Sequence, residues 1–279
     1  MIAIADSGAT KTDWRVLDAQ RTEQFQTIGL SPYFTSANDL HAALRSAFPS
    51  NIDPSRVSHV HFYGTGCGSH EHGQLMAQRL RAFFTQAQVR ASSDALGSAR
   101  ALFGDAPGLV VILGTGSNVC RYDGRGLSAL TPSLGYALGD EGSGAHIGRL
   151  LLRSHLYRQL PPHISQELEQ QYDVRISAVL EATYKGARPS AYLASFAPFA
   201  LANLHEPAMQ AIVDASLNEL YQTHLAAYPL KELPVGVTGS IGCLLAERLN
   251  ALAALHGFSI VRYVQRPIDA LVEYHQKSA

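Results

Sequence analysis

The sequence predicts an α/β protein that consists of two similar domains facing each other across a cleft. Residues 2–17 and 109–122 follow one plan: an apolar strand, a turn of small residues with a threonine, and a returning strand. Apolar strands also alternate with segments whose apolar residues recur at helical spacing, which is typical of sheets covered by helices. A third apolar strand, residues 235–238, runs into glycines. Two copies of one domain plan would produce this pattern.

The first domain is predicted to span residues 1–103. Its first helix would be capped by Asn38 or Asp39 and would end before Pro49, because proline cannot continue a helix. The spacing of the apolar residues places the other elements. Strands are predicted at 1–6, 13–17, 25–28, 57–63 and 89–91, and helices at 38–48, 75–84 and 95–103.

The second domain is predicted to span residues 104–265, and a C-terminal helix within 266–279 is expected to pack on the first domain. Residues 109–113 are apolar throughout, as in strands that are buried on both faces. Asp123-Gly124 is a strong signal for a hairpin turn. Further strands are predicted at 119–122, 126–130, 235–238 and 260–264, and helices at 145–160, over most of 163–230, at 244–256 and at 268–274.

Composition excludes several classes of function. The 279 residues include 22 basic and 23 acidic side chains, so the net charge of −1 provides no general attraction to nucleic acid or to anionic lipid. Three widely spaced cysteines predict neither a disulfide scaffold nor a zinc site. No run of 18 apolar residues and no secretory leader is found, so we expect a soluble cytoplasmic protein without membrane or nucleic-acid partners.

The turn after the first strand has the parts of a metal and phosphate site. Asp6 ends the strand, and the small residues Ser7-Gly8-Ala9 would allow backbone N–H groups to approach an anion. The hydroxyls of Thr10 and Thr12 and the cation of Lys11 follow. An ordinary hairpin, with a capping aspartate and a solvated lysine, is the alternative.

Better-known nucleotide motifs and metal motifs are missing from the sequence. Lys11 follows a single glycine and precedes a strand, so the turn is not a P-loop, and the G-x-G units at 64–66 and 114–116 are weak signals alone. His59 and His61 share a strand face, but the chain contains no H-E-x-x-H. We therefore do not predict a histidine metal site.

Taken together, four segments carry a resemblance to a known family. The chain resembles the acetate and sugar kinase, chaperone and actin superfamily, and within it the N-acetylglucosamine kinase group. The resemblance implies two ribonuclease H-like (actin-like ATPase) domains around an interdomain cleft. It rests on a first phosphate loop, a second phosphate loop, a G-D-E-G-S segment shared with activator ATPases, and an adenosine loop, at 6–12, 114–118, 139–143 and 237–242.

The resemblance implies roles for residues around ATP and Mg²⁺. Asp6 would hold Mg²⁺ through water, because Mg²⁺ takes few protein carboxylates. Asp94, where a short strand enters a helix, would accept the proton of the sugar hydroxyl, unless it merely caps that helix. The expected phosphate and nucleotide contacts are Gly8, Thr10, Lys11, Thr12, Gly114, Thr115, Gly116, Gly239 and Ser240.

The same resemblance implies contacts to the sugar. Ser117, Asn118 and Asp140 match positions that bind the sugar in the family, and their side chains suit hydroxyl and acetamido groups. Glu141 ranks below Asp140, since it could instead be a charge at a helix start. Ser31 lies where family members often carry an asparagine, which leaves the identity of the sugar open.

The expected activity is therefore ATP-dependent phosphorylation of the 6-hydroxyl of an N-acetylated amino sugar, with N-acetylglucosamine as the implied acceptor. N-Acetylmuramic acid and glucosamine remain alternative acceptors. An activator-type ATPase and a non-catalytic sugar sensor on the same fold are alternative functions. The helix-rich middle of the chain could supply the face of a homodimer.

Overall fold

A computed structural model describes residues 1–8, 10–18 and 21–277, and these divide into two compact units. Unit 1 contains Met1–Ala106, Gly124–Leu127 and the chain from Arg266 onwards, and unit 2 contains Pro107–Asp123 and Ser128–Gln265. Each unit has a five-stranded mixed sheet with helices packed against it. The predicted α/β class is confirmed.

The sheet of unit 1 has the strand order β3-β2-β1-β4-β5. The first strand, β1, is antiparallel to β2 and parallel to β4, and β4 is parallel to β5. The elements are β1 Ile2–Ser7, β2 Lys11–Leu17, β3 Thr22–Ile28, α1 Ala37–Ala47, a 3₁₀ turn Pro54–Arg56, β4 His59–Gly64, α2 His70–Arg81, β5 Gln88–Ser92, α3 Asp94–Phe103 and the last helix, α13 Pro267–Lys277.

Each face of this sheet has its own core. On one face, the buried indole of Trp14 stacks on Phe25 and packs with side chains of α1 and α2. On the other face, a smaller core joins β1 and β4 to α3 and α13 through Ile4, Leu17, Tyr63, Ala101, Ile268 and Leu271. The last helix of the chain thus completes unit 1. Residues 278 and 279 of the segment predicted to form this helix lie outside the described residues.

One predicted cap was wrong. Helix α1 is capped by Ser36, whose hydroxyl accepts the N–H of Asp39 at 3.2 Å, and not by Asn38 or Asp39. Serine is as good a cap as asparagine or aspartate, so the neighbouring cap candidates could not be told apart by residue type.

The sheet of unit 2 has the order β10-β9-β6-β7-β8. Its first strand is again antiparallel to the second and parallel to the fourth. The elements are β6 Gly108–Leu113, β7 Ser117–Tyr122, β8 Leu127–Ser128, α4 Gly135–Leu138, α5 Gly144–Leu156, α6 Pro162–Gln171, α7 Ile176–Tyr184, α8 Pro189–Ala194, α9 Ala197–Ala202, α10 Pro207–Thr223, a 3₁₀ turn Leu225–Ala227, β9 Val235–Thr238, α11 Ser240–Leu244, α12 Ala246–Leu255 and β10 Ile260–Val264.

Unit 2 has one large core, in which β6 and β9 meet the helices. Helix α5 contributes the fully buried side chains Ile147 and Leu151 to it. The predicted helix 145–160 ends four residues early, at Leu156, and the predicted strand 126–130 shortens to Leu127–Ser128. Within the described part of the chain, no helix combines the length and the apolarity that a bilayer span would need.

Candidate active site

The parallel strands of unit 1 bring two predicted carboxylates to one edge of the sheet. Asp6 near the end of β1 is level with Tyr63 of β4, and Tyr63 is level with Ser92 of β5. Asp94 follows Ser92 by two residues, at the start of α3. The carboxyl ends of parallel strands are where open α/β sheets place their ligands.

Asp94 is not the cap of its helix. Ser93 caps α3 by accepting the N–H of Leu96 at 3.2 Å. The carboxylate of Asp94 accepts the N–H of Ala95 at 2.9 Å and the hydroxyl of Thr65 at 2.7 Å. Thr65 lies in the turn after β4, and sequence reasoning gave it no role. Two hydrogen bonds thus hold the Asp94 carboxylate in one orientation.

Asp6 is half-buried among other charges. The pKa of Asp6 is raised to about 7, first by burial and then by the carboxylates of Asp94 and Asp13, while Lys11 and Arg266 oppose the rise. The carboxylates of Asp94 and Asp13 are therefore both close enough to Asp6 to repel its negative charge. Such a group gains from a nearby cation, which would favour the ionised form.

Lys11 lies at the first position of β2 and is half-exposed, with Nζ 3.3 Å from Oδ2 of Asp13. Asp13 is buried, accepts a hydrogen bond from Gln26 Nε2 at 2.6 Å, and lies 3.8 Å from Arg266 Nη2. Asp13 and Arg266 were not among the predicted site residues. Arg266 could not be found from spacing, because only the return of α13 brings it to β2.

The turn between β1 and β2 is a hairpin closed by Gly8 N–H, which donates to the carbonyl of Lys11 at 3.0 Å. Gly8 and Thr10 are exposed, whereas Thr12 is fully buried. The Thr12 hydroxyl lies 2.7 Å from Ser7 Oγ and donates to the carbonyl of Ile28 at 3.0 Å. The structure does not bring the Thr12 hydroxyl to the surface of the turn. Ala9 lies outside the described residues.

Ser31 lies beside the turn that carries Thr65. A Cβ on Gly66, which has a φ of +90°, would lie 3.1 Å from Ser31 Oγ and 2.7 Å from Tyr33 Cε2. The N–H of Ser31 donates to Thr35 Oγ1 at 3.1 Å, which fixes the loop. The turn after β4 thus lies beside Ser31 at Gly66 and contacts Asp94 through Thr65.

In unit 2, the turn Gly114–Gly116 is attached to the start of α5. The N–H groups of Gly144 and Ala145 donate to the carbonyls of Gly114 and Thr115, both at 2.9 Å. The turn is closed by the Gly114 N–H on the Gly116 carbonyl at 3.0 Å, and Thr115 is exposed. The backbone of this turn is therefore held in place by a helix end.

Asp140 is buried against the same turn. Its Oδ1 accepts the N–H of Ser117 at 3.2 Å, and a Cβ on Gly116 would lie 2.8 Å from Oδ2. Burial raises the pKa of Asp140, and the hydrogen bond from Ser117 opposes that rise. Asn118, the next residue of β7, is half-buried. The structure thus places Ser117 in contact with Asp140, and Asn118 is the neighbour of Ser117 in β7.

Glu141 has a different environment from Asp140. Its carboxylate lies 3.0 Å from Nε2 of His224, whose Nδ1 lies 2.6 Å from Thr131 Oγ1. Helix α5 starts later, at Gly144, with Ser143 as its cap. Glu141 therefore contacts His224 and lies before the first turn of α5.

Gly239 and Ser240 follow β9, beside the Gly114 turn. Gly239 has a φ of +103°, and a Cβ there would overlap the carbonyl of Leu113 and lie 3.2 Å from Gly114 N. Only glycine fits this close approach. Ser240 is exposed at the first position of α11. Unit 2 thus places the predicted second phosphate loop and adenosine loop side by side.

Comparison with solved structures identifies similar proteins over the whole chain. A Porphyromonas gingivalis protein that is provisionally assigned as an N-acetylglucosamine kinase is 34% identical, with 99% of each chain covered and a TM-score of 0.93. A Chromobacterium violaceum protein with the same provisional assignment is 20% identical, with 98% of each chain covered and a TM-score of 0.72. The latter likeness shows the fold alone.

A more distant structure has the same architecture. The ROK family glucokinase of Streptomyces griseus, solved with glucose and AMPPNP, is 15% identical, with 95% of this chain and 93% of that chain covered and a TM-score of 0.52. The fold is therefore the two-domain actin-like ATPase fold of sugar kinases. No protein-family model and no curated protein matches the sequence.

Proposed function

The chain belongs to the N-acetylglucosamine kinase family, and from this we propose that it is an ATP-dependent sugar kinase that phosphorylates the 6-hydroxyl of an N-acetylated amino sugar, N-acetylglucosamine first among them. One observation carries the proposal: Asp94 is oriented by Thr65 and Ala95 at the sheet edge that also holds Asp6. Phosphoryl transfer depends mainly on such positioning and on charge stabilisation.

In the proposed reaction, Asp94 accepts the proton of the sugar hydroxyl. The hydroxyl oxygen then forms a bond to the γ-phosphorus as the bond from that phosphorus to the β,γ-bridging oxygen breaks, and ADP leaves. A carboxylate that already accepts two hydrogen bonds is preorganised for this role, because it needs little reorientation when the sugar binds.

In unit 1, three residues are proposed to contact the phosphates of the nucleotide. Lys11 is half-exposed and could exchange Asp13 for a phosphate oxygen, and Gly8 and Thr10 are exposed beside it. In unit 2, we assign the turn Gly114–Gly116 to the phosphates and Gly239 with Ser240 to the adenosine. Thr12 is better explained as an anchor of the hairpin than as a phosphate ligand, because its hydroxyl is buried.

Mg²⁺ fits the carboxylates of unit 1. A divalent cation would relieve the repulsion that raises the pKa of Asp6. Among the described residues, no group of three or more His, Cys, Asp or Glu side chains is arranged to hold a metal ion. Mg²⁺ is bound in proteins through one or two carboxylates together with substrate phosphates and water. When bound, it would neutralise phosphate charge, and Asp6 is the residue proposed to hold it.

The sugar contacts are proposed to be Asp140, Ser117, Asn118 and Ser31. Asp140 is a buried acceptor held by a backbone N–H, which suits a sugar hydroxyl. The side chain of Ser31 is shorter than that of an asparagine, which would leave room for a larger substituent on the sugar.

The activator-type ATPase is the weaker alternative. That class binds an iron–sulfur cluster through cysteine thiolates, but Cys67 and Cys120 are buried. Burial also raises the pKa of the Cys67 thiol to about 12, which disfavours the thiolate that a cluster needs. A colourless, iron-free protein after anaerobic purification would agree with the kinase.

An ADP-release assay across a panel of sugars tests the proposal. We expect ADP release to depend on an N-acetylated amino sugar and to produce a 6-phosphate by NMR, with N-acetylglucosamine, N-acetylmuramic acid, glucosamine and glucose compared at equal concentrations. ATP hydrolysis that no sugar stimulates would contradict the kinase.

A homodimer is proposed as the assembly. Supporting it, unit 2 exposes large apolar side chains around one cavity, with Tyr157 at 69%, Ile176 at 63% and Tyr184 at 80% of full exposure. Sedimentation of the wild type and of an Ile176→Glu variant tests this. A wild type that sediments as a monomer at high concentration would contradict it.

A further inference from the structure

The loop 139–143 of unit 2 presents the Asp140 carboxylate from an uncommon backbone conformation. Asp140 has a φ of +61°, which residues with a side chain seldom adopt. Its carbonyl accepts the N–H of Ser143 at 3.1 Å, and its carboxylate accepts the N–H of Ser117 at 3.2 Å. A backbone conformation of this kind persists only where the surrounding structure holds it. The other contacts of the loop therefore help to decide where the Asp140 carboxylate lies.

Glu141 connects this loop to the end of helix α10. Its side chain is 14% exposed, and Oε2 lies 3.0 Å from Nε2 of His224, whose side chain is 7% exposed. An ionised carboxylate only accepts hydrogen bonds, so Nε2 of His224 donates in this contact. The other ring nitrogen of His224, Nδ1, lies 2.6 Å from the hydroxyl of Thr131. His224 thus joins the Asp140 loop to the segment that precedes α4.

The segment that contains Thr131 returns to the Asp140 carboxylate. Ser133 Oγ donates to the carbonyl of Ser117 at 3.2 Å, and the Ser117 N–H donates to Asp140. These contacts close a ring, in which no member can move without straining its neighbours on both sides. The members of this ring, in order, are Asp140, Glu141, His224, Thr131, Ser133 and Ser117.

A second histidine supports the same loop at Gly142. The Gly142 N–H donates to Nδ1 of His146 at 3.4 Å, and the Ser216 hydroxyl lies 2.8 Å from the same nitrogen. Nε2 of His146 lies 3.2 Å from Oε2 of Glu219. Burial, with Arg149, lowers the pKa of His146, so the ring is neutral near pH 7 and its Nδ1 can accept. Helix α10, which carries Ser216 and Glu219, therefore supports the loop as well as ending at His224.

We propose that Glu141 and His224 are positioning residues, which hold Asp140 in place for the sugar and act on the affinity for the sugar only through Asp140. This role rests on the proposed function, in which Asp140 contacts the sugar. The contact between Glu141 and His224 is buried, so removing either partner leaves the other without a hydrogen bond. A displaced Asp140 would lose a bond that is made before and during the reaction, which raises KM and leaves kcat unchanged.

Steady-state kinetics of His224→Phe and Glu141→Ala test the proposal. In both variants we expect KM for the sugar to rise about tenfold, with kcat and KM for ATP within about twofold of the wild type. Glu141→Gln keeps an oxygen that accepts from His224, so it should restore most of the affinity. His155→Phe is the matched control with wild-type KM expected, since the side chain of His155 is 9% exposed and its Nε2 lies 3.7 Å from Glu169.

A double-mutant cycle with Asp140→Asn shows whether His224 acts through Asp140. In that background, His224→Phe should cause no further rise in KM for the sugar, because the contact that it positions is already lost. Wild-type KM in His224→Phe, or losses that add in the double variant, would overturn the proposal.

The Ser117 N–H signal in NMR spectra of the ligand-free chain reports the position of Asp140 without any activity. It should move in His224→Phe and remain in place in His155→Phe. An unmoved signal in His224→Phe would overturn the proposal even if the sugar kinase is confirmed. ADP release that no sugar stimulates in the wild type would contradict the proposed function instead, and the Ser117 signal would still decide whether His224 positions Asp140.

Discussion

The two units share one strand order but build the turn after their first strand in different ways. In unit 1, the turn between β1 and β2 is surrounded by charged side chains, namely Asp6, Lys11 and Asp13. In unit 2, the turn between β6 and β7 is the backbone of Gly114–Gly116, held by the start of α5. One topology thus supports two kinds of loop, one that acts through charge and one that acts through backbone position.

The two kinds of loop should respond differently to substitution. A charged loop can be adjusted by single side chains, because removing one charge leaves the backbone intact. A backbone loop depends on the glycines at its points of close approach, such as Gly239 beside Gly114, so a methyl group at such a point is enough to move it. Substitutions in unit 1 should therefore change kinetics, and those in unit 2 should change both stability and binding.

The largest effect is expected from removing the proposed base of unit 1. Asp94→Asn keeps the shape and a hydrogen bond to Thr65, but it cannot take up a proton. We expect turnover to fall by about 10²–10⁴-fold, while nucleotide affinity remains near that of the wild type. Steady-state kinetics and nucleotide titration measure the two. Thr65→Val removes only one hydrogen bond to the Asp94 carboxylate, so it should lower turnover less. Near-normal turnover in Asp94→Asn would show that Asp94 is not the base.

Gly239→Ala is expected to disturb the backbone loop Gly114–Gly116 of unit 2, because Gly239 lies directly beside it. The added methyl group would overlap the carbonyl of Leu113 at a φ of +103°, so the free energy of unfolding should fall by about 1–3 kcal/mol. Gly114→Ala is the control in the same region, since a Cβ there meets nothing within 4 Å, and its effect should stay within about 0.5 kcal/mol. Denaturant titration compares them. Equal losses in both variants would mean that close packing does not define this loop.

A smaller effect is expected from the charged loop itself. Lys11→Met removes the cation but keeps the aliphatic stem, and Asp13 retains Gln26 as a partner. The affinity for ATP should fall about tenfold, or about 1.4 kcal/mol, as for the loss of a hydrogen bond to a charged group. Calorimetric titration measures this, and Lys185→Met, at an exposed position in unit 2, should bind ATP normally. Unchanged affinity for ATP in Lys11→Met would mean that Lys11 is a solvated turn residue and does not contact the nucleotide.

The smallest effect is expected in the pH dependence of stability, which should differ between the histidines of the two units. His61 and His275 of unit 1 face Arg90, Arg100 and His59, with Tyr63 and Tyr274 beside them, whereas His146 and His224 of unit 2 pair with glutamates. The pKa of His61 is lowered to about 4, so the stability it contributes is complete above about pH 6.5 and is lost as the pH falls toward 4, where the unfolded chain binds more protons.

Between pH 7 and pH 5, His61→Gln should therefore lose less stability than the wild type, by about 1 kcal/mol after allowance for its partial exposure. Denaturant titrations at several pH values provide the comparison. His163→Gln, a substitution at an exposed histidine of unit 2, should show the wild-type slope. If stability changed with pH in His61→Gln as it does in the wild type, burial would not be what keeps His61 neutral in the folded protein.

The sequence predicted the strands that lead into the loops, because apolar runs such as 109–113 end at small residues in a pattern that few other structures produce. It also predicted the position of Asp94 at a strand-to-helix junction. The role of Thr12 could not be predicted in the same way. Its burial depends on the register that sets it beside Ser7 and the Ile28 carbonyl, and residue types alone do not specify that contact.

Contacts between distant parts of the chain were also beyond prediction. Arg266 reaches Asp13, and His275 reaches His61, only because α13 returns to unit 1. The packing of a helix from the far end of the chain is determined by tertiary contacts, and no local sequence pattern in β2 or β4 predicts it. Thr65 could have been noticed, since it sits in a G-T-G turn at the end of a parallel strand.

The return of α13 has a consequence for how the protein is made. Ile268 and Leu271 fill the core beside Ile4, and Asp269 accepts hydrogen bonds from the buried guanidinium of Arg15 at 2.8 and 3.0 Å. During translation, unit 1 emerges from the ribosome long before this helix exists. Until all of unit 2 has been synthesised, this face of the sheet is covered by α3 alone, so the nascent chain exposes apolar surface that chaperones can shield.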